Sequence, residues 1–278
     1  MTTTVPTGLA EETEIRAYSD FVTGAPADVH EALGIGARQF GAARALAIRE
    51  DPSRFFNRVG GFGPDEPVTA DVVEEVCGFF RDQGVPRGSF MIAPSVLPSD
   101  WDATAAKWGL TQGARFAKLG YDVATAVDTG DSAAALDPDL RVGPVEPHEA
   151  REWATVMMTT FGFTTPAMID MASACVGRPN WRQYAVRDGE RIVAVGSVFV
   201  NGDCADMFGG ATLPEARGRG AQSALLAARV QAARDAGCRW LVAETGAEGP
   251  GDHNSSLHNM LRSGFAPLYE RVAWVWGE

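Results

Sequence analysis

Thr212-Leu213-Pro214-Glu215-Ala216-Arg217-Gly218-Arg219-Gly220-Ala221 joins an apolar, glycine-bearing run, Met207-Phe208-Gly209-Gly210-Ala211, to an alanine- and leucine-rich run from Ser223 to Ala236. The first reads as a strand and the second as a helix, with a glycine-rich turn and two arginines between them. That order suits pyrophosphate. The first N–H groups of a helix have no intrahelical partner, the helix dipole favours an anion there, and glycines let the backbone approach closely. Arg217 and Arg219 add charge-assisted contacts. The turn lacks the Lys-Ser/Thr ending of a P-loop, and Ser223 stands where the third glycine of G-x-G-x-x-G would fall, so neither nucleotide fingerprint fits. An ordinary strand-to-helix turn with surface arginines is the competing reading.

Working outward, residues 140–145 read as a strand, 147–160 and 166–176 as helices, and 184–186 and 192–200 as strands joined by Arg187-Asp188-Gly189-Glu190, since Asp-Gly suits a hairpin turn. Asn201-Gly202-Asp203 repeats that logic before a strand over 205–212. A long helix closed by Gly237, a strand over 240–245, a second helix and a last strand over 269–276 complete the half.

In this setting Pro214-Glu215-Ala216-Arg217-Gly218-Arg219-Gly220 resembles the acyl-CoA-binding signature of the GNAT superfamily of N-acyltransferases, Arg/Gln-x-x-Gly-x-Gly/Ala. Arg217 matches its first position and Gly220 its fourth, while Gln222 stands where Gly or Ala is usual. Asn254 through Gly264-Phe265 resembles the family's second helix and Gly-Phe ending. The resemblance covers roughly residues 140–278. It implies an α/β (α+β) fold with a mixed, mostly antiparallel central sheet and flanking helices. It also implies acetyl-CoA (acyl-CoA) as cosubstrate without a metal, and a small-molecule amine as acceptor. Gly210, Ala211 and Thr212 would face the thioester. Arg217, Gly218, Arg219, Gly220, Ala221, Gln222 and Ser223 would hold the pyrophosphate, and Asn254 and Asn259 would reach the pantetheine arm.

The first half carries a fainter version of the same order. Residues 27–50 read as mostly helical, interrupted by Gly34, Gly36 and Gly41. Residues 55–62 read as a strand. Thr69 is a plausible N-cap for a helix over 70–83, ended by Gly84. A strand over 89–93, a helix from Asp100 to Lys107, and a strand over 116–127 follow. The spacing of Pro64 to Gly109 nearly equals that of Arg217 to Gly264, so residues 1–128 read as a degenerate copy of the second unit. The Asp-, Gly- and Ala-rich stretch 129–139 reads as a linker, and 140–278 as the acyl-CoA-binding domain of a tandem. The corresponding turn, Gly63-Pro64-Asp65-Glu66-Pro67, has no arginine, two acidic residues and two prolines without N–H donors, so this half is expected to bind no CoA.

Composition narrows the function. A net charge of −12 argues against broad nucleic-acid binding, because phosphate contacts need clustered Lys and Arg. Cys77, Cys175, Cys204 and Cys238 are scattered without C-x-x-C spacing and read as small buried hydrophobes in a reduced compartment. No apolar run approaches membrane-spanning length, and no export segment is read, so a cytoplasmic monomer or homodimer is expected. The first ten or so residues are expected to be loose.

Acyl transfer to an amine requires a base for the amine, polarisation of the thioester carbonyl and protonation of the leaving thiolate. Glu244 and Asp206 are the candidate bases, with a salt-bridge role the competing reading for each. The family often places a tyrosine four residues before the glycine of Gly-Phe. Here that position is Met260, which has no proton to donate, and Ser256, His253 and His258 are the nearby substitutes. The resemblance implies that the region around the first two helices of the second half shapes the acceptor pocket, with Phe161 and Phe163, which break the helical pattern, and Trp181 as candidates to line it. Three function classes stay open: an acyl-CoA-dependent N-acyltransferase, a transferase using another carrier such as a carrier protein or aminoacyl-tRNA, and a non-catalytic acyl-CoA sensor.

Overall fold

The computed structural model describes residues 4–124 and 135–278. The first half runs α1 (Thr7–Thr23), α2 (Ala27–Leu33), β1 (Ile35–Phe40), β2 (Ala43–Ile48), β3 (Arg58–Gly60), α3 (Ala70–Asp82), β4 (Arg87–Met91), α4 (Trp101–Lys107) and β5 (Thr111–Asp122). The second runs β6 (Leu140–Pro144), α5 (Ala150–Thr160), α6 (Pro166–Ser173), β7 (Trp181–Asp188), β8 (Arg191–Asn201), β9 (Cys204–Thr212), α7 (Ala221–Asp235), β10 (Trp240–Gly246), α8 (Ser255–Arg262) and β11 (Ala266–Gly277).

The eleven strands of the described residues form one mixed, mostly antiparallel sheet in the order β1-β2-β3-β4-β11-β5-β10-β9-β8-β7-β6. The internal repeat is visible in the pairing. β1-β2-β3 are antiparallel and β3 is parallel to β4; likewise β7-β8-β9 are antiparallel and β9 is parallel to β10. The final strand of each half crosses over. β5 lies between β11 and β10, and β11 lies between β4 and β5. One sheet thus takes strands from both halves of the chain.

Helices cover both faces. α1, α5 and α6 share a core with β7, β8 and β9, built around Phe21, Trp153, Met168, Trp181 and Phe208. α7 and α8 pack on the opposite face through Leu226, Ala233, Met260 and Phe265. α3 buries Val73, Val76 and Phe80 against β2 and β4. Thr69 caps α3 as expected, accepting from the Val72 N–H, and Gly84 follows in the left-handed region at φ 68°. All four cysteines are buried and free. Among the described residues no helix is long and apolar enough to cross a membrane.

Two expectations for the first half are corrected. Residues 27–50 are not mostly helical: α2 ends at Leu33, and the β1–β2 hairpin fills the remainder, with Gly34 and Gly41 both at φ 60°. Ladder pairing from Ile35↔Ile48 to Phe40↔Ala43 overrides the helical preference of an alanine- and arginine-rich stretch. The N-terminal residues are not loose from Thr7 onward, because α1 packs against β2, β3, β8 and β9. The end of the strand expected over 116–127 and much of the 129–139 segment lie outside the described residues.

Candidate active site at the opening between two parallel strands

β9 and β10 pair in parallel only from Cys204↔Trp240 to Met207↔Ala243. Beyond that point Glu244, Thr245 and Gly246 pair with Lys118, Ala117 and Phe116 of β5, while β9 stays with β8. The strands therefore separate, and the β9 backbone from Phe208 to Thr212 has no ladder partner on β10. A β-bulge sharpens the opening. The register jumps between Val195↔Ala211 and Ser197↔Phe208, so Gly209 and Gly210 face Gly196 alone. Gly209 sits at φ 61°, and a Cβ there would lie 2.3 Å from Met157 Sδ. Only glycine fits both the dihedral and the space.

The chain then makes one 3-10 turn over Pro214–Ala216, runs extended at Arg217, and enters α7 through Gly218 at φ 75° and Gly220 at φ 79°. No side chain caps α7, so the N–H groups of Ala221, Gln222 and Ser223 in its first turn have no side-chain acceptor. The two arginines differ. Arg217 is exposed and has no ion-pair partner among the described residues. Arg219 is tied down: its Nε lies 2.8 Å from Asp137 and its Nη1 2.6 Å from Asp188. Asp137 also returns a backbone N–H to the Arg219 carbonyl at 3.0 Å. Arg219 thus fastens the chain at Asp137 to the turn, and Ala135 lies so close that a Cβ on Gly220 would meet its carbonyl oxygen at 2.3 Å.

α8 closes the other side. Gln222 donates to Ser256 Oγ at 3.0 Å and accepts from Asn259. Asn254 is the N-cap of α8. It accepts from the N–H groups of Ser256 and Leu257, and its amide donates to Thr245 and to the Gly246 carbonyl. Asn254 thus locks the start of α8 to the end of β10, with its side-chain donors and acceptor already used. Met260 is buried, and His258 faces Glu248 at 3.0 Å.

Under the opening, on the α1 face, lies a cluster of buried charges. Arg271 of β11 is 1 % exposed and holds Glu11 at 2.6 Å, Glu14 at 2.5 Å and Glu244 at 2.5 Å. Lys118 of β5 is fully buried with its ammonium 2.5 Å from Glu14. Burial raises the Glu14 carboxyl, but Arg271 and Lys118 overcome this and hold it well below the usual carboxylate range. Glu244 and Asp206 behave oppositely. Burial is the main cause in each case, pushing Glu244 up to about 7 and Asp206 up to about 8 against the pull of the nearby cations. Glu244, half-buried and one residue past the last β9–β10 pair, is placed to accept a proton at the opening, whereas Asp206 is buried within the paired segment opposite Val242.

Residues 148–264 match the sequence model of the Acetyltransferase (GNAT) family. This stretch contains the opening, the bulge and the glycine turn. Residues 148–264 form a GNAT acetyltransferase domain. Solved structures align over nearly the whole chain and share its fold. A GCN5-related N-acetyltransferase from Kribbella flavida is 15 % identical, with a TM-score of 0.62 over 95 % of this chain and 94 % of that one. A tandem GNAT protein from the clavulanic acid biosynthesis pathway is 12 % identical, with a TM-score of 0.61 over 96 % of each chain. A GCN5-related N-acetyltransferase from Sphaerobacter thermophilus is 14 % identical, with a TM-score of 0.61 over 94 % and 93 %. No curated protein gives a significant sequence match.

The GNAT domain also contains a cation that sequence reading passed over. Arg229, two turns into α7, is 4 % exposed. Its Nε donates to the Leu225 carbonyl at 3.1 Å. Its guanidinium lies beneath the bulge, where a Cβ on Gly196 would be 3.0 Å from Cζ and one on Gly210 3.4 Å from Nη1. Burial lowers its pKa to about 10, with Asp206 opposing, so it stays charged at neutral pH. In the sequence it resembles any helix-surface arginine. Only the bulge places it under the strand opening.

The aromatic candidates separate in the GNAT domain. Trp181 is in the core, 2 % exposed, with its indole N–H on Asp20 at 2.6 Å. Phe163 is 8 % exposed and packs on Phe55 and Phe56 from the first half, whereas Phe161 is 53 % exposed. Tyr18, Phe55 and Phe208 adjoin them, with the Arg58 guanidinium 4.0 Å from the Tyr18 ring centroid. These first-half contributors could not be read from the second half alone.

Proposed function

We propose that the protein is an N-acyltransferase that moves an acetyl or other acyl group from acyl-CoA to the amine of a small molecule, by direct attack in a ternary complex. The observation that carries this reading is the strand opening at Gly209–Gly210 leading into the uncapped start of α7. It offers backbone amides to a thioester at one end and to a pyrophosphate at the other. The amine nitrogen bonds to the thioester carbonyl carbon, the C–S bond breaks, and the amine proton passes to Glu244, with Asp206 as the alternative acceptor. The leaving thiolate forms near the Arg229 cation, which offsets its charge where Met260 has no proton to give. The division into a first half without a cofactor site and an acyl-CoA-binding second half belongs to the same reading. Glu66 of the corresponding first-half turn is engaged by the Ala42 N–H at 2.5 Å.

Thiol release from acetyl-CoA and longer acyl-CoAs over an amine panel tests the proposal, alongside thermal shift with the same thioesters. Stabilisation by a CoA thioester with amine-dependent thiol release is expected. Stabilisation without turnover on any amine would make the protein an acyl-CoA-binding module, and no stabilisation would point to another carrier.

Two substitutions probe the turn. Gly220→Val forces a β-branched side chain into a left-handed conformation, costing roughly 1–2 kcal/mol, and drives its Cβ into Ala135. The Kd for acetyl-CoA, read by calorimetry, is expected to rise more than about tenfold. Arg217→Ala and Arg219→Ala should differ in kind. Losing Arg217 removes a charge-assisted contact of about 1.5–3 kcal/mol and should raise KM for acetyl-CoA about tenfold or more, with Tm unchanged. Losing Arg219 should lower Tm first. Equal KM effects from the two would refute this division of roles.

A further inference from the structure

Glu248, His253 and His258 bring their ligand atoms within 4.8 Å of one another at the entrance to α8. Two of the four histidines of the chain are in this one cluster. His258 Nε2 lies 3.0 Å from Glu248 Oε1, and the two imidazoles stack at 4.6 Å between centroids with 28° between planes. The loop that gathers them is internally fastened. Ala247 donates to the Arg115 carbonyl at 2.9 Å, and the Gly249 N–H donates to Asp252 at 3.0 Å. Gly251 turns the chain at φ 86°. The Asn254 N–H then donates to Glu248 Oε1 at 2.5 Å.

We propose that Glu248, His253 and His258 form a binding site for one divalent cation of the zinc type. Two imidazole nitrogens and a carboxylate oxygen are the donor set such an ion takes, and imidazole disfavours magnesium and calcium. Tetrahedral donors at zinc stand about 3.3 Å apart, from Zn–N and Zn–O bonds of about 2.0–2.2 Å, so small side-chain rotations from the observed spacing complete three corners. The cluster is open to solvent, with His253 exposed, which leaves the remaining corner to water and gives the ion a way in. A bound ion would tie the loop after β10 to the first turns of α8. Through the Ser256–Gln222 hydrogen bond it would also brace the start of α7. The site needs no part of the acyl-transfer reading.

The test is calorimetric titration of the full chain with Zn2+ alone, without acyl-CoA. One equivalent should bind, and His253→Ala, His258→Ala and Glu248→Gln should each weaken it by at least about tenfold, given that even outer partners of a metal site cost that much. His30→Ala and His148→Ala, at the remaining histidines, should bind as the parent does. Should a cluster variant fail to fold, the imidazole proton resonances of the unaltered protein decide. One equivalent of Zn2+ should move the signals of two histidines and leave two in place. Absence of one-equivalent binding, unchanged affinity in both His253→Ala and His258→Ala, or movement of the His30 or His148 signals instead would overturn the proposal.

Discussion

Arg271→Met should destabilise the protein by about 3–5 kcal/mol, the cost of leaving buried charges without their partner. Arg271 answers three carboxylates at once, Glu11, Glu14 and Glu244, and it is 1 % exposed. Its removal leaves Lys118 beside Glu14 and Arg58 4.0 Å from the same carboxylate. Glu11 then keeps the Tyr269 hydroxyl, which donates to it at 2.5 Å. The carboxylates must take up protons or stay charged in a dry site, and either route costs stability. Arg271→Lys should recover only part of the loss, because one ammonium cannot span Glu11 and Glu14 as the guanidinium fork does. Equilibrium urea unfolding reads both changes. A loss under about 1 kcal/mol for Arg271→Met would put the cluster in the class of exposed ion pairs.

Glu244→Gln should lower kcat by about 10²–10⁴, the usual contribution of a positioned general base. The pH profile gives the sharper reading. A base works only when ionised, and burial has raised Glu244 to about 7. Activity of the parent enzyme should therefore be low below that pH, climb through it and level off above. The glutamine variant should lose that limb entirely. If the limb instead lies near 8 and disappears in Asp206→Asn, Asp206 is the base. A Glu244→Gln enzyme with unchanged activity across pH removes Glu244 from the mechanism. Glutamine preserves the shape beside Arg271, which keeps Glu11 and Glu14, so a fall in activity with unchanged Tm isolates the proton-transfer role.

The glycine turn and its flanking elements were legible in sequence because local rules act there. Gly218 and Gly220 need positive φ, α7 shows an alanine-rich helical run, and Asp188-Gly189 makes a hairpin between β7 and β8. α1 was illegible for the opposite reason. Its buried face mixes Glu11, Thr13 and Glu14 with Ile15, Ala17, Phe21 and Val22, so the apolar stripe is broken. The two glutamates become interior only because Lys118 and Arg271 arrive from strands more than a hundred residues away. The β1–β2 hairpin was hidden by residues that favour helices. The role of Arg219 was hidden by Asp137 and Asp188, which nothing local connects to it. Asn254 read as a ligand-facing amide and sits instead as a helix cap, a role that its position before Ser255 was equally able to signal.

The exchange of β5 and β11 has a consequence for how the chain comes to be folded. During synthesis the first half emerges with one edge of β4 unpaired, since the β11 residues that join it, from Ala273↔Met91 to Gly277↔Arg87, are made more than 180 residues later. β5 likewise waits for β10. An unpaired strand edge is a template for wrong partners. Because each half completes the other's sheet, the two halves should melt together in one calorimetric transition.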